Sequence, residues 1–162
     1  MNRPRYAPSR DASSDFVITR PRLAVATAVF AMLVACASLV PLDEHPLRAR
    51  DAWVLLVSSW PPAISSKTDF VANLILQFPF GFFFAGAVSY GRPRHQPPAF
   101  LLASVTAAAL AFAIELAQGM FAARTPSMTD VVAETLGACL GAALWVRSGA
   151  RLAISVDLPV WR

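Results

Sequence analysis

Three of the four long apolar runs in this chain carry acids and amides at helical spacing, and that combination restricts the fold more than any other feature. The run from Phe70 to about Tyr90 opens on Asp69 and contains Asn73 and Gln77. The run from about Ala99 to Phe121 contains Glu115 and Gln118, and that from about Met128 to Val146 contains Asp130 and Glu134. The remaining run, Leu23 to Val40, has no charged residue. Each approaches the roughly 20 residues needed to cross about 30 Å of hydrocarbon. The sequence therefore predicts an all-α membrane protein built as a four-transmembrane-helix bundle.

Composition agrees with this. The 162 residues are 56% hydrophobic and only 15% charged, against roughly 25% charged in soluble domains. The mean hydropathy is +0.52. The partner implied is the lipid bilayer. Nucleic acid is not expected, because the basic residues flank apolar runs and form no patch. Cys36 and Cys139 lie inside apolar runs, which argues against a disulfide framework. His45 and His95 have no partners at ligand spacing, so no metal site is expected, and no cofactor motif is present.

Between the first two spans lies DAWVLLVSSWPP, Asp51 to Pro62. It is too short to span and reads as an interfacial helix anchored by Trp53 and Trp60. The organisation expected is a cytoplasmic N-terminal segment 1–22, a membrane domain 23–147 and a cytoplasmic tail 148–162. With four spans, ten of the 14 lysines and arginines fall in the N-terminal segment, the Arg92–Arg94 loop and the C-terminal stretch from Arg147 onward, and four on the other side. The positive-inside rule then puts both termini in the cytoplasm of a multi-pass plasma-membrane protein. A second reading starts from LVAC, Leu33 to Cys36, which is similar to a lipoprotein cleavage box. The apolar run continues past it to Val40, and the preceding segment is long for a signal peptide.

Steps of three or four residues share a helix face. Asp69, Asn73 and Gln77 form one polar stripe, Glu115 and Gln118 a second, and Asp130 and Glu134 a third. At about 1.5 Å per residue, Asn73, Glu115 and Glu134 all fall roughly 5–10 Å inside the outer boundary. The stripes can thus meet in one outward-facing ligand pocket. Arg124, in the short loop between spans three and four, is placed at its rim to form a charge-assisted fork with an acid. A carboxylate costs about 2.5–3.5 kcal/mol at the centre of a span, and such groups usually face a bundle interior or a water cavity. Interhelical hydrogen bonds return only about 0.6 kcal/mol on average, so helix packing alone is a poor reason to keep the acids.

Ala133, Gly137 and Gly141 repeat at four-residue steps on roughly the face of Asp130 and Glu134, a spacing that lets another backbone approach closely. Pro79 and Gly81 read as a kink tolerated in a membrane helix, with Pro79 removing the bond to the Ile75 carbonyl.

The ordered set DFVANLILQFPFGF followed by ELAQGMFAARTPSMTDVVAETLGACLGA resembles the VanZ-like family of small integral membrane proteins. The resemblance covers about 69–143 and rests on Asp69, Asn73, Pro79, Gly81, Glu115, Gln118, Arg124, Asp130, Gly137 and Gly141. Glu134 departs from it, standing where the family commonly has an asparagine. The founding member is associated with resistance to the glycopeptide teicoplanin. The resemblance therefore implies action on a cell-envelope lipid, lipid-linked glycan or lipophilic glycopeptide, by binding or protection.

Two other functions remain open at this point. One is a membrane enzyme with Glu115 and Glu134 as candidate catalytic acids or bases on a polyprenyl-linked substrate. The other is a proton-coupled carrier, acting as a homo-oligomer because four spans make a small pathway. The carrier reading needs polar groups to continue toward the cytoplasm, and beyond Gln77 they become sparse.

Overall fold

The structure is a computed structural model that describes residues 18–40, 47–121 and 124–157. The expected N-terminal segment up to residue 17, His45 and the tail beyond Asp157 lie outside the described residues. Five α-helices follow in order: α1 (Arg20–Leu39), α2 (Ala49–Ser58), α3 (Lys67–Ser89), α4 (Gln96–Phe121) and α5 (Met128–Asp157). All but α2 contain stretches long and apolar enough to cross a membrane. The protein is an all-α, four-helix membrane bundle with one short additional helix. The last helix is longer than its apolar run suggested, because nothing between Arg147 and Asp157 breaks it.

Local signals fix the ends. The Ser66 hydroxyl accepts the Asp69 amide at 3.3 Å and starts α3, satisfying one of the four amides that a helix N-terminus leaves open. Gly91, at φ +67, turns the chain after Tyr90, a conformation that L side chains rarely adopt. Helix α3 runs through Pro79 without a break in its helical assignment.

Helices α3 and α5 point the same way and are packed backbone to backbone. A Cβ on Gly81 would overlap the Ala138 carbonyl, one on Gly137 the Leu74 carbonyl, and one on Gly141 the Phe78 carbonyl. Only glycine permits this approach, as in small-residue membrane helix pairs. Helix α4 joins through a stripe of small residues: Ala99, Ala103, Ala107 and Ala111 are all fully buried. Continuing the same four-residue step leads to Glu115, which is buried as well.

The two ends of the bundle differ. At the end holding the C-terminus of α3, Leu23, Ala85, Ala103, Ala142 and Trp145 form a core, with Phe82 edge-on to Trp145 at 5.2 Å. The Trp145 indole donates to the Ser89 hydroxyl at 2.9 Å, and Tyr90 donates its hydroxyl to the Ile18 carbonyl at 2.6 Å. This end is closed by aromatic packing. Midway, Phe80, Ala107 and Ala138 continue the apolar core. At the opposite end α2 packs across α4 and α5, with Leu56 buried against Ala111 and Val131 and Trp53 edge-on to Phe112 at 5.7 Å. Trp53 and Trp60 leave half or more of their surface exposed.

Candidate functional site

At the α2 end of the bundle a cavity of about 500 Å³ opens between four helices. Asp69, Ala72, Asn73 and Leu76 of α3 form one wall, and Gln118 near the end of α4 forms another. Asp130 of α5 closes a third side, with Arg124 and Thr125 from the connection before it. Ala37 and Ser38 of α1 complete the ring. Five residues of the predicted pocket therefore share one cavity: Asp69, Asn73, Gln118, Arg124 and Asp130.

Two of these face each other, the Asn73 side chain being the polar neighbour of the Asp130 carboxylate. Asp69 brings a second negative charge close to Asp130, while Arg124 lies within electrostatic reach of both Asp130 and Glu115. Among the described residues no hydrogen bond or ion pair engages the Arg124 guanidinium, which stays exposed at the rim. The fork expected between Arg124 and an acid is therefore open, and its planar donors face a space able to receive an anion.

The other three predicted residues lie deeper. Gln77 and Glu115 are 0% exposed and Glu134 is 1% exposed, and none lines the cavity. Each is about one helical turn further into the bundle than a residue that does: Gln77 below Asn73, Glu115 below Gln118, Glu134 below Asp130. On α3, Gln77 lies between Asn73, the polar neighbour of Asp130, and Gly81, which meets Ala138; on α5, Glu134 lies between Asp130 and Ala138. Glu115 lies within electrostatic range of Glu134. The site thus has two tiers, an open polar ring above a buried layer of two acids and an amide.

Glu115 also has a structural task. Its Oε2 accepts the Ser127 amide at 2.7 Å. The Met128 amide donates to the Ser59 hydroxyl at 2.8 Å, and the Thr129 amide to the Ser127 hydroxyl at 3.2 Å. Three successive amides at the start of α5 are thereby satisfied, and a carboxylate beside a helix N-terminus also meets its dipole favourably. Ser59 in turn donates to the Leu56 carbonyl at 2.7 Å, tying α2 into the same junction. The remaining polar atoms of the buried layer have no partner: both side-chain heteroatoms of Gln77, Oε1 of Glu115 and Oε2 of Glu134.

Sequence reasoning missed Ala37, Ser38, Ala72, Leu76 and Thr125 of the cavity lining, and Ser59 and Ser127 of the junction. The first two sit in the one span without charge, and Ser38 is polar but ordinary in a membrane helix. The Ser127–Asp130 spacing was a legible helix-start signal, whereas Ser59 as a cap from another helix left no local trace. Of the residues expected to pack helices, Gly81, Gly137 and Gly141 lie at the α3–α5 contact. Ala133 is buried beside Glu134, and Pro79 is half-buried within α3.

A protein-family model described as VanZ/LLP1 matches residues 14–151. No curated protein and no solved structure matches the chain.

Proposed function

This chain belongs to the VanZ/LLP1 family and is a multi-pass membrane protein, and from that premise we propose that it binds the headgroup of a cell-envelope lipid or lipid-linked glycan at the outer leaflet of the plasma membrane. The observation that carries this reading is the Arg124 guanidinium, unengaged among the described residues, at the rim of a cavity of about 500 Å³ lined by Asp69, Asn73, Gln118 and Asp130. Arginine suits a phosphate or carboxylate because its planar donors match two oxygens at once. The amides and acids of the ring suit hydroxyls and amides of a headgroup. The loop charges supply the orientation: the arginine-poor loops are those beside the cavity, and such loops face away from the cytoplasm.

Binding accounts for the site without a transport path. A carrier needs polar groups through to the opposite face, and below the buried layer lie Phe80, Ala107 and Ala138 and then the packed Trp145 cluster. A lipophilic glycopeptide has the same mixture of anionic and hydroxyl groups and is the second ligand class that fits. The test is Arg124→Ala expressed at normal level in a strain lacking the native gene. The reading expects loss of any envelope or drug-tolerance phenotype while the protein remains inserted. An unchanged phenotype with intact expression contradicts it.

A further inference from the structure

The buried layer beneath the ring is more than the floor of the cavity. Gln77, Glu115 and Glu134 come from three different helices, are almost wholly buried, and retain three unpartnered acceptor oxygens: Gln77 Oε1, Glu115 Oε1 and Glu134 Oε2. Buried polar atoms are hydrogen-bonded in the great majority of cases, and an unpaired one costs roughly 1–3 kcal/mol. For carboxylates the cost is greater, and a positive partner is what ordinarily offsets it. The nearby cation, Arg124, is exposed at the rim and reaches neither free oxygen with a hydrogen bond among the described residues. The layer is therefore short of hydrogen-bond donors and of positive charge.

From this we propose that Gln77, Glu115 and Glu134 form an inner subsite for the primary ammonium of a zwitterionic lipid headgroup whose anionic group is held by Arg124. Three acceptors match the three N–H groups of an ammonium. The subsite lies about one helical turn, roughly 5.4 Å, below the ring, so a short linker between phosphate and amine joins the two. The amide nitrogen of Gln77, also unpartnered, can then donate to an acid or to the ligand. A quaternary, trimethylated amine presents no N–H to these acceptors, so the subsite discriminates by methylation. The inference rests on the proposed lipid binding and adds the headgroup chemistry to it.

The experiment uses the full chain in detergent micelles doped in turn with phosphatidylethanolamine, phosphatidylcholine or phosphatidylglycerol, with bound lipid counted by native mass spectrometry. Phosphatidylethanolamine is expected to bind at least about tenfold more tightly than phosphatidylcholine, the discrimination worth one charge-assisted hydrogen-bond set. Glu134→Gln, an isosteric change, should reduce that ratio to within about twofold, and Gln77→Met should reduce it as well, with elution profile and helicity unchanged in both. Equal binding of all three lipids, lost on Arg124→Ala, overturns the ammonium subsite and leaves the lipid-binding reading standing. Binding of none of them by the wild-type protein overturns both. Retention of the full ratio in both Glu134→Gln and Gln77→Met also overturns the subsite.

Discussion

The Glu115 carboxylate accepts the Ser127 amide across 2.7 Å, joining the end of α4 to the start of α5 where the two flank the polar cavity. The bond places an acid that the sequence presents as a ligand group into a structural junction with one oxygen, while the other stays unpartnered. One residue thus links the packing of the bundle to the geometry of its site.

Removing that acceptor should be felt as lost stability. Glu115→Ala leaves the Ser127 amide without its partner in a part-buried setting, at a cost of about 1–3 kcal/mol. Glu115→Gln keeps a carbonyl oxygen at the same position and should cost less than half as much. Thermal unfolding of the purified protein in one detergent compares them. Equal losses for the two variants would show that the charge and not the cap matters.

The glycines of α5 should tolerate nothing larger. Gly137→Ala puts a methyl group into the Leu74 carbonyl and Gly141→Ala into that of Phe78. Each should destabilise by about 1–3 kcal/mol, the usual cost of overpacking. Because α3 and α5 also carry Asn73 and Asp130, the same variants should weaken ligand binding. Wild-type stability in both would mean the helices are further apart than the contacts here require.

Much of the fold was legible because spanning a bilayer demands a long apolar run, and such a run is visible without knowing its neighbours. The stripe Asp69, Asn73, Gln77 was legible for the same local reason, a step of four. What the sequence did not contain was which helices pair. The parallel contact of α3 with α5 sets Gly137 against Leu74 and Gly141 against Phe78, and no local pattern encodes that. Nor did the stripes announce their division into an open ring and a buried layer, which depends on how closely Gly81 and Gly137 let two backbones approach. The share of α1 was invisible because Ala37 and Ser38 look like any lipid-facing residues.

That share gives a prediction of its own. Ala37 is exposed, lines the cavity and belongs to the span of least chemical interest. Ala37→Trp should fill the cavity mouth and reduce ligand binding by roughly tenfold, with stability within about 0.5 kcal/mol of wild type, as for other surface changes. Bound-lipid counts and thermal unfolding on the same preparation check both halves. Undiminished binding would move the ligand away from α1.

Orientation is tested by labelling. In a background with Cys36 and Cys139 replaced by alanine, Thr125→Cys at the cavity should react with a membrane-impermeant maleimide on intact cells. Arg92→Cys, in the opposite loop, should react only after permeabilisation. The reverse pattern would turn the cavity toward the cytoplasm.

Whether Arg124 holds an anionic headgroup in this cavity is read by counting the lipid that co-purifies with the protein from its own membrane. Wild type and Arg94→Ala, altered at the far end of the bundle, should retain the same lipid at equal occupancy. Arg124→Ala should retain roughly a tenth of it or less, as expected when a charge-assisted hydrogen bond is removed. Equal occupancy in Arg124→Ala and wild type would contradict the account.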